Sequence, residues 1–487
     1  MTTLRSVPAG QPGASDEYAD MAARFDDVPL QDQDGAELDD DRSAALTQNS
    51  QDALAVEFVN QFGRQFRWTH GMDWMRDTGE FWTQDDLLRR MDCARHIARE
   101  AASHLTGAAA RNLAAASTVA SILTLARSDP RMALPADQWD SDPMALNTPT
   151  GIVDLRTGSM RPRAGDFVTQ CARVAPDWMA PCPNWLSFID QVFEHDEDMI
   201  EFMQRLIGYF LTSDRREQRV FFAQGVGANG KSTLFDLVLW IMGSYSLKLP
   251  SSVLMTQKNQ QHATELAQLR GKRLALSSEL EEGAHWAEGR IKELTGDEFL
   301  NARVMRGDPF EFRMSQKHLI VGNYKPRLRG GDAALARRFV LIPFTAKFEG
   351  AQKDLRMLEK LKAEGPAILA WAIDGAVKWF HAGLQIPSSV TAASSEYMES
   401  NDDVRIWLDE CCIFDEDASI RAQPLYESFS SWLKARGQFS CSLRVWGDRM
   451  SLLPQIVKKH SGGVRYAGIR LTQDEADRMA ALRRSFL

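Results

Sequence analysis

The octapeptide GVGANGKS at residues 225–232 constrains this chain more than any other segment. It fits G-x-x-x-x-G-K-[ST] at all four fixed positions, and that pattern functions where a strand, a turn and a helix follow one another. Glycines let successive backbone N–H groups turn inward on a phosphate, where a bulkier side chain would block the approach. Lys231 then reaches the β/γ-phosphates, and Ser232 offers its hydroxyl to Mg²⁺. The flanks agree: RVFFAQ at 219–224 is an apolar, β-prone run, and STLFDLVLW at 232–240 has apolar residues at helical spacing. A nucleoside triphosphate cradle is therefore expected from Gly225, Gly227, Ala228, Asn229, Gly230, Lys231, Ser232 and Thr233, with ATP and Mg²⁺ as cofactors.

Hydrolysis needs two more groups, a carboxylate at the end of a second strand and a polar residue that senses the γ-phosphate. The β-type run GKRLALSS at 271–278 ends in Glu279, with Glu281 and Glu282 close behind. The apolar run HLIVG at 318–322 ends in Asn323. Arg337 and Arg338 directly precede the apolar FVLI at 339–342, so one of them is a candidate arginine finger. The six cysteines include no C-x-x-C pair and have no histidine at ligand spacing, so neither zinc nor a disulfide framework is indicated.

A chain of 487 residues with 44% hydrophobic and 25% charged residues fits about three globular domains. The net charge of −9 is concentrated in residues 1–50, where eleven Asp and Glu face Arg5, Arg24 and Arg42. That tail buries too little apolar surface to order itself and is expected to be disordered. No apolar run approaches a membrane span and the start lacks a signal-peptide core, which predicts a cytoplasmic protein with no membrane partner. An α+β N-terminal domain is expected over 51–183, with strands around Phe66, Trp74 and Trp82, helices through 87–104 and 110–127, and a hairpin at 147–162 turning at residues 156–158. Its tryptophans are expected in the core. A helical pattern at 185–211 feeds an α/β block, so residues 184–346 form the ATPase core. A helical linker region, 347–400, includes the Pro- and Ser-containing stretch 386–390.

Several segments in this order resemble the superfamily 3 helicases of phages, plasmids and large DNA viruses, specifically the group that accompanies or is fused to a primase. The resemblance is carried by ALNTPTGIVDLRTG (145–158), RVFFAQGVGANGKST (219–233), HATELAQLRGKRLALSSELEEG (262–283), IKELTGDEFLNARVMRGDPFEF (291–312), HLIVGNYKPRLRGGDAALARRFVLIPF (318–344) and GVRYAGIRL (463–471). It implies an α/β fold with a P-loop AAA+-like core, assembled as a homohexamer. Lys231 and Ser232 would then bind phosphates and metal, Glu279 or alternatively Glu281 would supply the carboxylate, and Asn323 would orient the attacking water. Arg338, with Arg337 the close alternative, would be the finger acting on the neighbouring subunit. Lys292, Thr295, Gly296 and Asp297 match a further motif of the family, and a DNA-gripping hairpin maps to 301–313 with Arg303 and Arg306 flanking its turn, so that Arg303, Arg306 and Lys292 would contact DNA. Nothing in residues 1–140 supplies the acidic pairs or zinc ligands of a primase, which implies a separate primase partner.

Residues 421–472 hold nine Lys and Arg against Glu427 and Asp448, an electrostatic footprint in an otherwise mildly acidic chain. Amphipathic helices at 424–436 and 446–458 followed by a short hairpin at 463–471 predict a winged-helix module over 401–487, with Arg444, Arg449, Lys458 and Lys459 facing phosphates. The function expected from the sequence is an ATP hydrolase acting as a replicative DNA helicase on single-stranded and forked DNA, with 3′→5′ polarity implied by the resemblance. An ATP-gated origin-binding or loader protein and a P-loop phosphotransferase are the alternatives.

Overall fold

The computed structural model describes residues 49–256, 263–278, 283–303, 309–328, 333–350, 353–436, 440–460 and 463–485. The acidic tail expected at the N-terminus lies outside them up to residue 48. The chain divides into two compact units, Met1–Arg64 with Asp86–Ala133, and Gln65–Asp85 with Leu134–Leu487. The stretch 51–183 is thus shared between the two.

The first unit is helical: α1 (Gln51–Phe62), α2 (Arg89–Ser103), α3 (Gly107–Leu113) and α4 (Ala116–Ala126). The Ser50 hydroxyl caps α1 by accepting from the Ala53 N–H at 3.1 Å. Phe58, Val59, Ile97 and Ile122 fill its core.

The second unit opens with the antiparallel sheet β1 (Phe66–Thr69), β2 (Asp73–Asp77) and β3 (Trp82–Gln84). Trp74 and Trp82 are buried, and Trp82 meets Trp139 edge-on at 5.6 Å, so these rings are core rather than stacking platforms. Strands β4 (Ala145–Thr148), β5 (Gly151–Asp154) and β6 (Met160–Arg161) form a second meander. The expected turn at 156–158 joins β5 to β6, and a tighter one joins β4 to β5. The helical run at 185–211 is two helices, α5 (Pro183–Val192) and α6 (Glu197–Leu211). They part where Glu194 and His195 take positive φ and Asp196 caps the Met199 N–H at 3.1 Å.

A five-stranded sheet follows, all parallel, in the order β13-β7-β12-β9-β8. Its members are β7 (Val220–Gln224), β8 (Ser246–Lys248), β9 (Leu274–Ser277), β12 (Lys317–Gly322) and β13 (Phe339–Pro343). The near-continuous apolar strands reflect burial on both faces. Helix α7 (Lys231–Met242) follows β7, and α8 (Glu288–Gly296) leads into the antiparallel hairpin β10 (Phe299–Arg303) and β11 (Pro309–Arg313). Helix α9 (Ala333–Ala336) precedes β13. Beyond β13, α10 (Gly365–Ala382) packs on α6. Helix α11 (Ser388–Glu399) begins inside the stretch expected to be a linker, because an edge strand needs cover: the Ser394 hydroxyl accepts the Leu341 N–H at 2.9 Å.

The C-terminal region holds α12 (Asp403–Cys411), α13 (Ala422–Ala435) and α14 (Leu443–Met450), with the antiparallel sheet β14 (Cys412–Arg421), β16 (Val464–Leu471) and β15 (Val457–His460) in the order β14-β16-β15. Two expectations change here. The helix expected at 446–458 ends at Met450, since Pro454 cannot continue it, and 457–460 is strand. The hairpin expected within 463–471 is the single strand β16, and the turn lies between β15 and β16. Gly468, at φ 88°, is a strand irregularity rather than a turn. Among the described residues no single helix is long and apolar enough to cross a membrane, although the bent pair α3–α4 passes by length and composition.

Helices α6 and α10 meet at Gly208 and Gly375, where a Cβ on Gly208 would collide with the backbone of Gly375 and Ala376. Helix propensity alone would make Gly208→Ala stabilising by about 1 kcal/mol. Backbone cannot yield as a flexible side chain can, so overpacking prevails. Gly208→Ala is expected to destabilise the second unit by about 1–3 kcal/mol, read as a lowered urea midpoint at unchanged m-value.

Candidate nucleotide and nucleic-acid site

Parallel register builds one edge of the site. Gln224 at the end of β7 lies opposite Gly322 of β12 and Pro343 of β13, so the segments that leave the three strands emerge side by side. The Gln224 side-chain amide donates to the Asn323 carbonyl at 3.2 Å, and the Phe344 N–H donates to the Gln224 carbonyl at 2.8 Å. Asn323 leaves its side chain exposed beside this loop. Strand β9 pairs with the far side of β12 and runs toward the expected carboxylate, but Glu279 and Glu281 lie outside the described residues.

The loop itself is held from three directions. The buried Asn229 donates through Nδ2 to the Phe344 carbonyl at 3.2 Å, and the Ala228 carbonyl accepts from the Phe348 N–H at 2.8 Å. Gly230 sits at φ 84°, which a side chain would resist, and its Cβ would press on Val192. Ala228 accepts φ 60° despite its methyl group. Helix α7 starts at Lys231 with no side-chain cap among the described residues, so its first N–H groups stand at the positive end of the helix dipole. A helix start of this kind favours an oxyanion.

Lys231 is 4% exposed. Its ammonium folds back on the loop, donating to the Gly225 carbonyl at 2.5 Å and to Asn229 Oδ1 at 3.0 Å. Neither partner is charged, and burial pushes its pKa down to about 8. Ser232 is exposed at the mouth of the loop and Thr233 is half-buried. The contacts from Gln224, Phe344 and Phe348 escaped the sequence reading because backbone carbonyls and amides leave no signature in residue type.

The arginine pair is at the opposite edge. Phe339 of β13 pairs with Val220, the first residue of β7, and the Val220 N–H donates to the Arg338 carbonyl at 2.8 Å. The strand puts about 16 Å between that point and the Gly225 loop, beyond an arginine's reach. Arg338 is half-buried and donates through Nε to Thr295 Oγ1 at 3.1 Å and through Nη1 to the Ala334 carbonyl at 2.8 Å. Arg337 is exposed and makes no hydrogen bond or ion pair among the described residues.

The hairpin starts two residues earlier than expected. Leu300, Ala302 and Phe312 turn inward, while Phe299, Asn301 and Arg303 share the outer face. Arg306 lies outside the described residues. Lys292 is half-buried on α8, not on the hairpin.

The C-terminal footprint is smaller in space than along the chain. Arg449 is turned inward on Asp402 at 2.8 Å, Arg436 pairs with Glu410 at 2.8 Å, and Arg470 with Asp415 at 2.9 Å. Those carboxylates all precede residue 421, so the sequence window missed them. Arg449 therefore does not face phosphates as expected. Arg444 on α14 and Lys458 and Lys459 on the edge strand β15 are exposed.

Residues 55–194 match the family described as D5 N terminal like, and residues 223–338 match a family of unknown function, DUF5906. A protein of Acanthamoeba polyphaga mimivirus, provisionally named helicase L207/L206, is 24% identical over 339 residues, covering 62% of this chain and 34% of that protein. A protein of Frog virus 3 (isolate Goorha), provisionally named helicase 022R, is 24% identical over 312 residues, covering 58% of this chain and 31% of that protein. The chain spans about a third of the length of these curated relatives. The apo structure of the NrS-1 C-terminal region (305–718) aligns over 61% of this chain and 77% of its own, at a TM-score of 0.40 and 14% identity.

The buried Lys231 ammonium makes stability depend on pH. Above about 8 the folded chain releases this proton while the unfolded chain holds it up to 10.5, so wild-type stability rises through that window. Lys231→Met abolishes the effect. The wild type is expected to gain on the order of 2–3 kcal/mol relative to this variant between pH 7 and pH 10.5, measured by urea unfolding at both pH values.

Proposed function

We propose that this chain, which belongs to the superfamily 3 helicase family of phages and viruses, is an ATP-driven DNA helicase that works as a homohexameric ring. The observation that carries this reading is the division of the sheet into two functional edges. The Gly225 loop and Asn323 share one edge, and the arginine pair stands at the other, too far away to serve its own loop. An arginine so placed acts on a second copy, and a head-to-tail contact that closes makes a ring.

In this reading the core is a P-loop AAA+-like ATPase. The α7 N–H groups and Lys231 hold the ATP phosphates, and Lys231 exchanges its loop carbonyl for a phosphate oxygen. Mg²⁺, held by Ser232 and Glu279 or Glu281, would neutralise charge on the β/γ-oxygens. Asn323 orients the attacking water through its exposed amide. Arg337 rather than Arg338 is the finger that enters the neighbour's site, since Arg338 is already committed to Thr295 and Ala334.

Arg303 and Arg306 would grip the phosphate backbone of one DNA strand from the ring channel, positioning without reading sequence. The C-terminal helices followed by the β15–β16 ribbon support a winged helix with Arg444, Lys458 and Lys459 at the DNA. The primase partner is read from residues 1–140, which hold neither the acidic pairs nor the zinc ligands of a primase, and 3′→5′ movement follows from the family alone.

Arg337→Ala is expected to lower kcat for ATP hydrolysis by about 10³-fold with little change in nucleotide affinity. Mixed with Lys231→Ala, which keeps its arginine but loses its own site, it should recover part of the activity, because mixed rings contain intact composite sites. Absence of recovery would remove the shared site. Fork unwinding by Lys231→Ala and Glu279→Gln at the wild-type rate would remove the motor; hydrolysis by the wild type without unwinding would favour the loader.

A further inference from the structure

Arg338 has a different assignment from its neighbour. We infer that it is a positioning residue, a strut that ties the root of the β10–β11 hairpin to Arg337 and to the base of the P-loop strand. Through it, DNA held by the hairpin sets the placement of the finger. The inference rests on the helicase reading and adds the route by which DNA would control hydrolysis.

Three contacts meet at Arg338. Its main-chain carbonyl accepts from Val220 at 2.8 Å, fixing it to the first residue of β7, whose other end carries the Gly225 loop. Its Nε donates to Thr295 Oγ1 at 3.1 Å. Its Nη1 donates to the Ala334 carbonyl at 2.8 Å, in the short helix that leads into Arg337. The buried Thr295 donates its own hydroxyl proton to the Ile291 carbonyl at 2.6 Å, which leaves the oxygen's lone pairs to receive Arg338.

Thr295 stands directly before the hairpin. Gly296 and Asp297 follow, and the Glu298 carbonyl accepts the Met314 N–H at 2.9 Å, closing the open end of the ribbon. Arg215 holds the same turn from another side, donating to the Leu294 carbonyl at 2.5 Å and the Asp297 carbonyl at 2.6 Å. A displacement of the hairpin root must therefore either carry Arg338 with it or break the Thr295 bond. Arg338 is joined by one peptide bond to Arg337, so the displacement reaches the exposed guanidinium.

The test uses the full chain and oligo-dT as the DNA. Thr295→Val keeps the volume and branching but removes the acceptor, Thr295→Ser keeps the hydroxyl, and Arg338→Lys keeps the charge with a different reach. ATP hydrolysis is measured with and without oligo-dT, together with ATP KM. The ratio of stimulated to unstimulated kcat is expected to fall at least fivefold in Thr295→Val, to fall in Arg338→Lys, and to return in Thr295→Ser, with ATP KM unchanged throughout. A wild-type ratio in both Thr295→Val and Arg338→Lys overturns the strut alone. Absence of DNA stimulation in the wild type overturns the helicase reading, and the strut falls with it.

Discussion

The parallel alignment of β7 between β12 and β13 is the constraint on which the rest depends. Each strand is short, so a one-residue slip would move the Gly225 loop away from Asn323 and turn the apolar faces over. Val220, Phe221, Phe222 and Ala223 are buried on both faces, which holds the strand inside the sheet, and the bonds from the Val220 N–H to the Arg338 carbonyl and from the Phe344 N–H to the Gln224 carbonyl fix its two ends in register. Hydrophobic burial thereby sets the position of groups that are themselves polar and exposed.

Both edges of the sheet carry positive groups, and the helices explain why. At the upper edge α7 begins, its first N–H groups at the positive end of the helix dipole. At the lower edge α6 and α8 end, and their last carbonyls would be buried without partners. Cations meet them. Arg273 donates to the Leu211 carbonyl and to that of Ala145, Lys317 donates to the Thr212 carbonyl, and Arg215 to those of Leu294 and Asp297. Burial holds the Lys317 ammonium far below its ordinary pKa, and aromatic faces help both inner cations: Lys317 lies over Tyr209 at 4.7 Å and Arg273 over Tyr245 at 4.2 Å. Carbonyls at the ends of α6 and α8 thus share in compensating this buried positive charge, and the arginine pair extends the same cationic edge to the surface.

How far the sequence revealed this depends on which interactions are local. The strand, loop and helix around Lys231 were legible because glycine spacing and helical periodicity are short-range signals. The sheet meander near residue 156 was legible from its turn residues. The break at Glu194–His195 was not, since neither residue advertises positive φ, and the shortened helix at Met450 required weighting Pro454 above the apolar spacing. In the site, Asn323 could be proposed from its place at a strand end, but the sequence favoured Arg338 over Arg337 as the finger without sight of the bonds that Arg338 makes to Thr295, 43 residues away, and to a carbonyl of α9.

The basic C-terminal stretch shows the same division between linear and spatial charge. Counted along the chain, residues 421–472 look like a continuous cationic surface. Three of those arginines close on Asp402, Glu410 and Asp415, holding α12 and β14 to the elements that follow them, so their charges serve the module's own packing. Arg421, Lys434, Arg444, Lys458 and Lys459 remain exposed, and of these Arg444 lies on α14 and the two lysines at 458 and 459 on the edge strand β15. The helix that ends at Met450 and the arginines that turn inward share one lesson: neither the partner of an arginine nor the end of a helix is decided within the segment that contains it.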